Sequence, residues 1–419
     1  MADVHAAGHT ILVVGGGISG LTTAVEAAET GYNVLLVERD PHFGGRVAQH
    51  NQYFPKLCSP TCGLEINYQR IKNNPRIRYM TLAEVVDIQG AEGDYTVRIR
   101  KHPRHVTEAC TGCGECSKAC TVEVPDPYNF GMNTVKAIRN NHAMAFPVWF
   151  HMDPEYAKSE EAQKVAKVCP VGAIQPEMQA EDVTEKVSAV VWATGWKPYD
   201  AEKIRPYGFG QYANVTTNMR FERMANVYGP TGGKIVRPSD GKEARNVAMI
   251  QCAGSRDHNY LPFCSRICCL ASMKQASYVR NQYPDSKVTI FYIDLRAMDR
   301  YEAFLQKTRA DQGISWIKSK PARIEEDAQG NPVVIGENTL TGERYAMPFD
   351  LVVLATGMEP NSAQAGKVPY QGAAYDDYGF VTGGVLSAGC AAYPTDVASS
   401  VQSATAMAMK AIQVAGRRG

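Results

Sequence analysis

Residues Thr10 to Val14 form an unbroken apolar run rich in β-branched side chains, which predicts a strand. Leu21, Ala24, Val25 and Ala28 then recur at helical spacing. Gly31 is expected to end that helix, because glycine accepts the left-handed backbone that follows a last turn. Val34 to Val37 predict a second strand. Two later apolar strands, "SAVVWATGW" (Ser188 to Trp196) and "DLVVLATGMEPN" (Asp350 to Asn361), both end on Ala-Thr-Gly. Strands alternating with helices predict an α/β architecture.

The turn between the first strand and helix reads G-x-G-x-x-G on Gly15, Gly17 and Gly20. Glycines at this spacing let the backbone approach a diphosphate and point the helix N-terminus at it. Ile18 and Ser19 open that helix. Glu38 stands eighteen positions past Gly20, where an acid suits a ribose hydroxyl, and Arg39 follows it. Alone the glycine motif is weak; strand, helix, second strand and acid in order make it strong.

Gly44-Gly45-Arg46 comes next. A dehydrogenase that binds NAD has no reason for this second glycine pair. In two-dinucleotide-domain flavoproteins it continues the FAD site, so Gly45 and Arg46 favour FAD. The Ala-Thr-Gly ends, with Thr194 and Gly195, match the crossing points between domains in that superfamily. The tail from Tyr378 resembles its closing segment, with Gly389, Asp396 and Val397 at the matching positions. Val86 completes the expected FAD contacts. The second domain's first strand, "RNVAMIQCAGSRD", carries Cys252-Ala-Gly-Ser-Arg256 where nicotinamide-binding glycines would stand. That argues against a nicotinamide site there.

At 419 residues the chain has room for two or three domains. The 44% apolar and 21% charged content is ordinary globular material. A net charge of +1 gives no case for nucleic acid or an anionic membrane surface. The basic run Arg98 to His105 reads as a solvated strand end more readily than as a docking patch. The sequence shows no signal peptide and no stretch near the ~20 apolar residues of a membrane span. A cytoplasmic protein that meets a membrane only through a partner is expected. Twelve clustered cysteines in such a chain point to metal or redox use rather than disulfides.

"ACTGCGECSKACTVEVPD" holds Cys110, Cys113, Cys116 and Cys120 at the ligand spacing of a bacterial ferredoxin, but Thr121 replaces the usual proline. In a two-cluster ferredoxin the first three cysteines share a cluster with a distant Cys-Pro. Cys169-Pro170 supplies it. The same spacing counted back from Cys169 meets Val165, Ala162 and Ser159, so a second ferredoxin cluster has lost its ligands. The consistent set is one [4Fe–4S] cluster on Cys110, Cys113, Cys116 and Cys169, with Cys120 left over. Four thiolates also suit zinc.

A second set comprises Cys252, Cys264, Cys268 and Cys269. Cys264 and Cys268 are four apart, which predicts a shared helix face. Buried free thiols packing as small hydrophobes remain the alternative. Lys274 follows in the same helix, and an ammonium near a flavin would stabilise its reduced form. A surface lysine is the alternative. Cys58 and Cys62, in "KLCSPTCGLE", could be a thiol pair near the flavin, extra ligands or plain structural thiols; Cys390 receives no role.

The stretch from Tyr207 through "GPTGGKIVRPSDGKEARNVAMIQCAGSRD" to "FCSRICCLASMKQA" resembles the A-type subunit of heterodisulfide reductase and its relatives. The resemblance implies a thioredoxin-reductase-like FAD core with an inserted ferredoxin module. It implies an unusual [4Fe–4S] cluster on Cys252, Cys264, Cys268 and Cys269, and Lys274 close to the flavin N5. Two clusters are therefore expected. The compact form with Cys58-Ser-Pro-Thr-Cys62 is similar to the quinone-interacting membrane-bound branch. That similarity implies three partners: a sister subunit with flavin and iron–sulfur groups, a membrane subunit carrying haem b, and adenylylsulfate (APS) reductase. Electrons would come from menaquinol. The rivals are a soluble bifurcating subunit, an NAD(P)H-dependent reductase, and a zinc-bearing scaffold without catalysis. The expected boundaries are an FAD domain in three pieces (1–105, 179–202 and 350–419), a ferredoxin-like module (106–178) and a degenerate NAD-type domain (203–349).

Overall fold

Two five-stranded parallel sheets organise the chain, and the computed structural model describes residues 10–54, 56–297, 301–363 and 366–417. Residues 1–9 of the expected first domain lie outside the described residues. The first sheet runs in the order Leu386–Ser387, Ala189–Trp192, Thr10–Val14, Asn33–Val37, Ile77–Met80. Strands covered on both faces need apolar side chains throughout, which is why Thr10–Val14 and Ala189–Trp192 are buried at every position. One face is covered by the helix Ile18–Glu29 and the closing helix Val397–Gly416, which pack together.

The other face meets an antiparallel sheet of Ala83–Ala91, Asp94–Lys101 and Glu181–Val187. Glu181 pairs directly with Lys101, so everything between them is inserted into one strand connection. That insertion is a small module of two short hairpins and three short helices, with its own core of Val106, Ile138, Phe150, Tyr156, Val165 and Ile174. A bridge between Val106 and Ile174 closes it at its neck.

The second parallel sheet runs Val215–Thr217, Leu351–Thr356, Asn246–Ala253, Lys287–Tyr292, Ile314–Lys318. The helix Cys268–Gln282 packs on it. Two thin antiparallel strands, Trp196–Pro198 and Met358–Pro360, lead into and out of this domain.

A second connection is made of side chains. Lys274 Nζ donates to the Gln52 carbonyl at 2.5 Å. The Asn51 amide donates to Glu222 Oε2 at 2.9 Å. Arg223 reaches the Gln49 carbonyl and Asn129 Oδ1, and Asn226 Nδ2 reaches the His50 carbonyl. Phe54 stacks edge-on against Tyr301 and Phe304. Residues 49–54 of the first domain are therefore stitched to the second at several points.

Candidate functional site

The strand ends of the first sheet open onto a broad cleft. Gly15, Gly17, Ile18, Ser19, Glu38, Arg39, Gly45, Arg46, Thr194, Gly195, Asp396, Val397 and Lys274 all line it. Gly15 adopts φ +109°, and a Cβ there would lie 2.4 Å from the Ala193 carbonyl. A Cβ on Gly20 would collide with the Gly15 carbonyl at 1.7 Å. Gly20 therefore makes the turn tight from behind and does not line the cleft. A Cβ on Gly17 would meet no outside atom closer than Gly45 Cα at 3.9 Å. Its place is a cradle open to the cleft, as close approach of a diphosphate requires.

Two helices begin at this cleft, one at Ile18 and one at Val397. Asp396 caps the second by accepting from the Ser399 amide at 2.9 Å. Glu38 is buried; it accepts from the Gly16 amide at 2.5 Å and the Asp40 amide at 2.8 Å. Burial outweighs these bonds and pushes its carboxyl up to about 7. Arg46 donates to the Trp196 carbonyl and Gln49 Oε1, and burial lowers its pKa. Asn361 fixes the crossover by donating from Nδ2 to the Thr194 carbonyl and from its amide to the Gly195 carbonyl.

Two expected contacts stand elsewhere. Val86 lies at a bulge in the strand Ala83–Ala91 and borders a shallow surface recess with Gln89 and Tyr370. It does not line the cleft, so its expected role is corrected: the bulge shifts the register between Val85 and Asp87. Gly389, at φ +59°, packs behind the wall, where a Cβ would meet Ser19 Oγ at 2.1 Å; its neighbour Cys390 lines the cleft instead.

Lys274 is no surface lysine. Its side chain is 5% exposed, and Nζ lies 3.1 Å from Glu222 Oε1, whose side chain is 2% exposed. Gln275 Nε2 and Tyr278 Oη also donate to that carboxylate. Burial opposes its ionisation, but Lys274, His50, Gln275 and the Asn51 amide together hold Glu222 below the usual carboxylate range. Sequence reasoning missed Glu222 because the pair spans more than fifty positions. It also missed His42, His50, Tyr128 and His142 in the wall. Burial drives His42 to about 3, and His50 and His142 each to about 4, with Arg104, Lys274 and Arg223 respectively adding to the effect.

Cys110, Cys113, Cys116 and Cys169 line a separate small recess in the inserted module, with Phe150 and Pro170. Cys116 is pushed up to about 11, first by burial and then by its neighbouring thiols. Cys120 stands apart, buried with Tyr156, Ala162 and Val165, and its Sγ lies 3.4 Å from the Val122 carbonyl. Side chains thus fill the place where a second ferredoxin cluster would sit. Ser159 has become the cap of the helix Glu160–Ala166.

Cys252, near the end of its strand with φ +54°, lies within electrostatic range of Cys264, Cys268 and Cys269. The expected helical face of Cys264 and Cys268 is corrected: the helix starts at Cys268, and Cys264 lies in the loop before it. Burial and then the mutual proximity of the thiols raise Cys252 to about 11 and Cys268 well above its ordinary value. Four thiolates could share either place only with cations to balance them. Among the described residues no three His, Cys, Asp or Glu side chains converge tightly enough for a single metal ion.

A family model described as an NAD(P)-binding Rossmann-like domain matches residues 13–77. Among solved structures, thioredoxin reductase from T. acidophilum aligns at a TM-score of 0.53 and 14% identity, covering 96% of this chain and 97% of that one. The Lactococcus lactis enzyme gives 0.51 and 14%, covering 98% and 99%. Fold and cleft together define a two-dinucleotide-domain architecture like that of thioredoxin reductase. An A-type iron–sulfur subunit of CoB–CoM heterodisulfide reductase from Methanopyrus kandleri is 40% identical over 84% of this chain and 54% of its own length. The A-type subunit of the H2:CoB–CoM heterodisulfide,ferredoxin reductase of Methanothermobacter thermautotrophicus is 34% identical over 96% of this chain and 63% of its own. The chain is similar over most of its length to the A-type subunits of heterodisulfide reductase, and it spans roughly half to three fifths of these curated relatives.

Proposed function

We propose that the chain is an oxidoreductase subunit that carries electrons between one FAD and two [4Fe–4S] clusters. The observation that carries this reading is the helix Cys268–Gln282. Its start bears Cys268 and Cys269, while Ile267, Leu270, Ala271 and Lys274 around the same turns wall the cleft. One element therefore serves both a flavin site and a thiol set. FAD exchanges electrons singly or in pairs, and a [4Fe–4S] cluster exchanges them singly. The chain's own residues hold and orient. Gly15 and Gly17 admit the diphosphate, Glu38 meets the ribose, and Asp396 with Val397 meets the ribityl–phosphate end. Lys274, kept in place by Glu222, presents a cation to the flavin ring. Cys110, Cys113, Cys116 and Cys169 hold one cluster; Cys252, Cys264, Cys268 and Cys269 hold the other.

Iron, acid-labile sulfide and FAD should be counted on anaerobically purified protein. About eight irons per FAD is expected. About four would remove the second set as ligands, and a colourless protein would leave only the scaffold reading.

The finer reading is a quinone-linked complex. In it the chain is joined by a sister subunit with flavin and iron–sulfur groups and by a membrane subunit carrying haem b. Menaquinol supplies electrons and APS reductase receives them. The segment Cys58-Ser-Pro-Thr-Cys62 supports it. No helix among the described residues is long and apolar enough to cross a membrane, which suits contact through a partner. The names of the methanogen relatives favour a second reading, a soluble subunit coupled to ferredoxin. Purification of the tagged chain from its own cells separates the two. Haem b absorbance in the complex supports the first, and ferredoxin reduction without haem supports the second.

A further inference from the structure

The loop that carries the second cysteine set is built around arginine. Arg256 and Arg266 both hold left-handed backbone, at φ +58° and +63°, in residues other than glycine. That is a strained conformation for a side chain of this size. Arg256 NH1 lies 2.5 Å from Asp294 Oδ1, which sets its charge near the Cys252 thiol. Arg296 approaches the other oxygen of Asp294 at 3.3 Å and stands beside Cys264 and Cys269. The Asp294 carbonyl itself lies 3.6 Å from Cys269 Sγ, and the Arg266 amide donates to Cys264 Sγ at 3.4 Å. One carboxylate thus grips two guanidinium groups against the thiols. Arg296 is about half exposed and screened, whereas the Arg256 side chain is 26% exposed.

We infer that Asp294 holds Arg256 beside the second cysteine set so that the guanidinium raises the reduction potential of the cluster held by Cys252, Cys264, Cys268 and Cys269. The inference rests on the reading of that set as cluster ligands. Reduction adds one electron, and so one negative charge, to the cluster. A fixed cation beside a ligand sulfur stabilises that form more than the oxidised one. Arg256 is a tuning residue; it acts through its charge and not on a substrate.

The test is a mediated redox titration of the full holo-chain, followed by electron paramagnetic resonance. The relevant signal is identified as the one lost in Cys264→Ser. Arg256→Gln should lower its midpoint by about 59 mV, a tenfold fall in the one-electron equilibrium constant. The signal of the Cys110, Cys113, Cys116 and Cys169 site should stay put. Arg256→Lys should recover part of the shift. Asp294→Asn distinguishes the clamp from bare charge. Loss of a negative charge alone would raise the potential, whereas a released Arg256 lowers it. An unchanged midpoint in Arg256→Gln at full iron content, or a raised one in Asp294→Asn, overturns the inference. Should Arg256→Gln lose iron, Arg256→Lys and Asp294→Asn decide the matter alone. Wild-type protein with only about four irons sinks the ligand reading instead.

Discussion

At the residue scale, charge buried in the cleft wall sets the sharpest expectations. Lys274 and Glu222 form an ion pair away from solvent. Removing one partner strands the other, so Glu222→Ala should destabilise the chain by about 3–5 kcal/mol in urea unfolding. Glu222→Gln combined with Lys274→Met should recover most of that loss, because no bare charge remains. The cleft histidines set the pH response. His42 sits at about 3, and His50 and His142 at about 4, against 6.5 for free imidazole. The unfolded chain binds protons there that the folded chain refuses, so stability falls as pH drops from 6.5 toward 4. At pH 5 the loss is about 2 kcal/mol for each buried histidine. Glu38 acts oppositely: with its folded pKa at about 7, its contribution is present at low pH and fades as pH rises from 4.5 through 7. The histidines outnumber it, so urea midpoints of flavin-free protein should fall between pH 7.5 and pH 5.

At the scale of elements, helix starts and strand ends govern the site. Asp396 caps a twenty-residue helix that borders the cleft. Asp396→Ala should cost about 1 kcal/mol of stability and weaken flavin retention together. Gly20→Ala should do worse, because a Cβ there has only the Gly15 carbonyl to displace. Its flavin content after gel filtration is the check. The opening strand and helix were readable in the sequence because a doubly covered parallel strand must be apolar at every position. The cysteine loop was not. Cys264 and Cys268 have helical spacing, yet Arg256 and Arg266 take left-handed backbone and the helix waits until Cys268. Spacing fixes which thiols are near each other, not the conformation that brings them there. Val86 stands at a one-residue bulge, which the sequence does not announce. The Glu222–Lys274 contact had no local signal, because only the packed tertiary structure brings the two together.

At the scale of the molecule, the two thiol sets occupy different bodies. One lies in a module with its own core, and the other lies in the second parallel-sheet domain. Cys169→Ser should therefore remove about half the iron and leave FAD in place. Cys268→Ser, beside the cleft wall, should disturb the flavin absorption bands as well.

The stitching of residues 49–54 to the second domain has a mechanical meaning. Were the slim pair Trp196–Pro198 and Met358–Pro360 the whole connection, the domains could swivel as on a door pin. Swivelling here would tear Lys274 from Gln52, Glu222 from Asn51 and Arg223 from Gln49 in one motion. The pin is bolted. The gap between the cleft and the thiols of the neighbouring helix is thus fixed by those same contacts, as the spacing of two soldered terminals is, and under the proposed function electrons would cross it without a moving part.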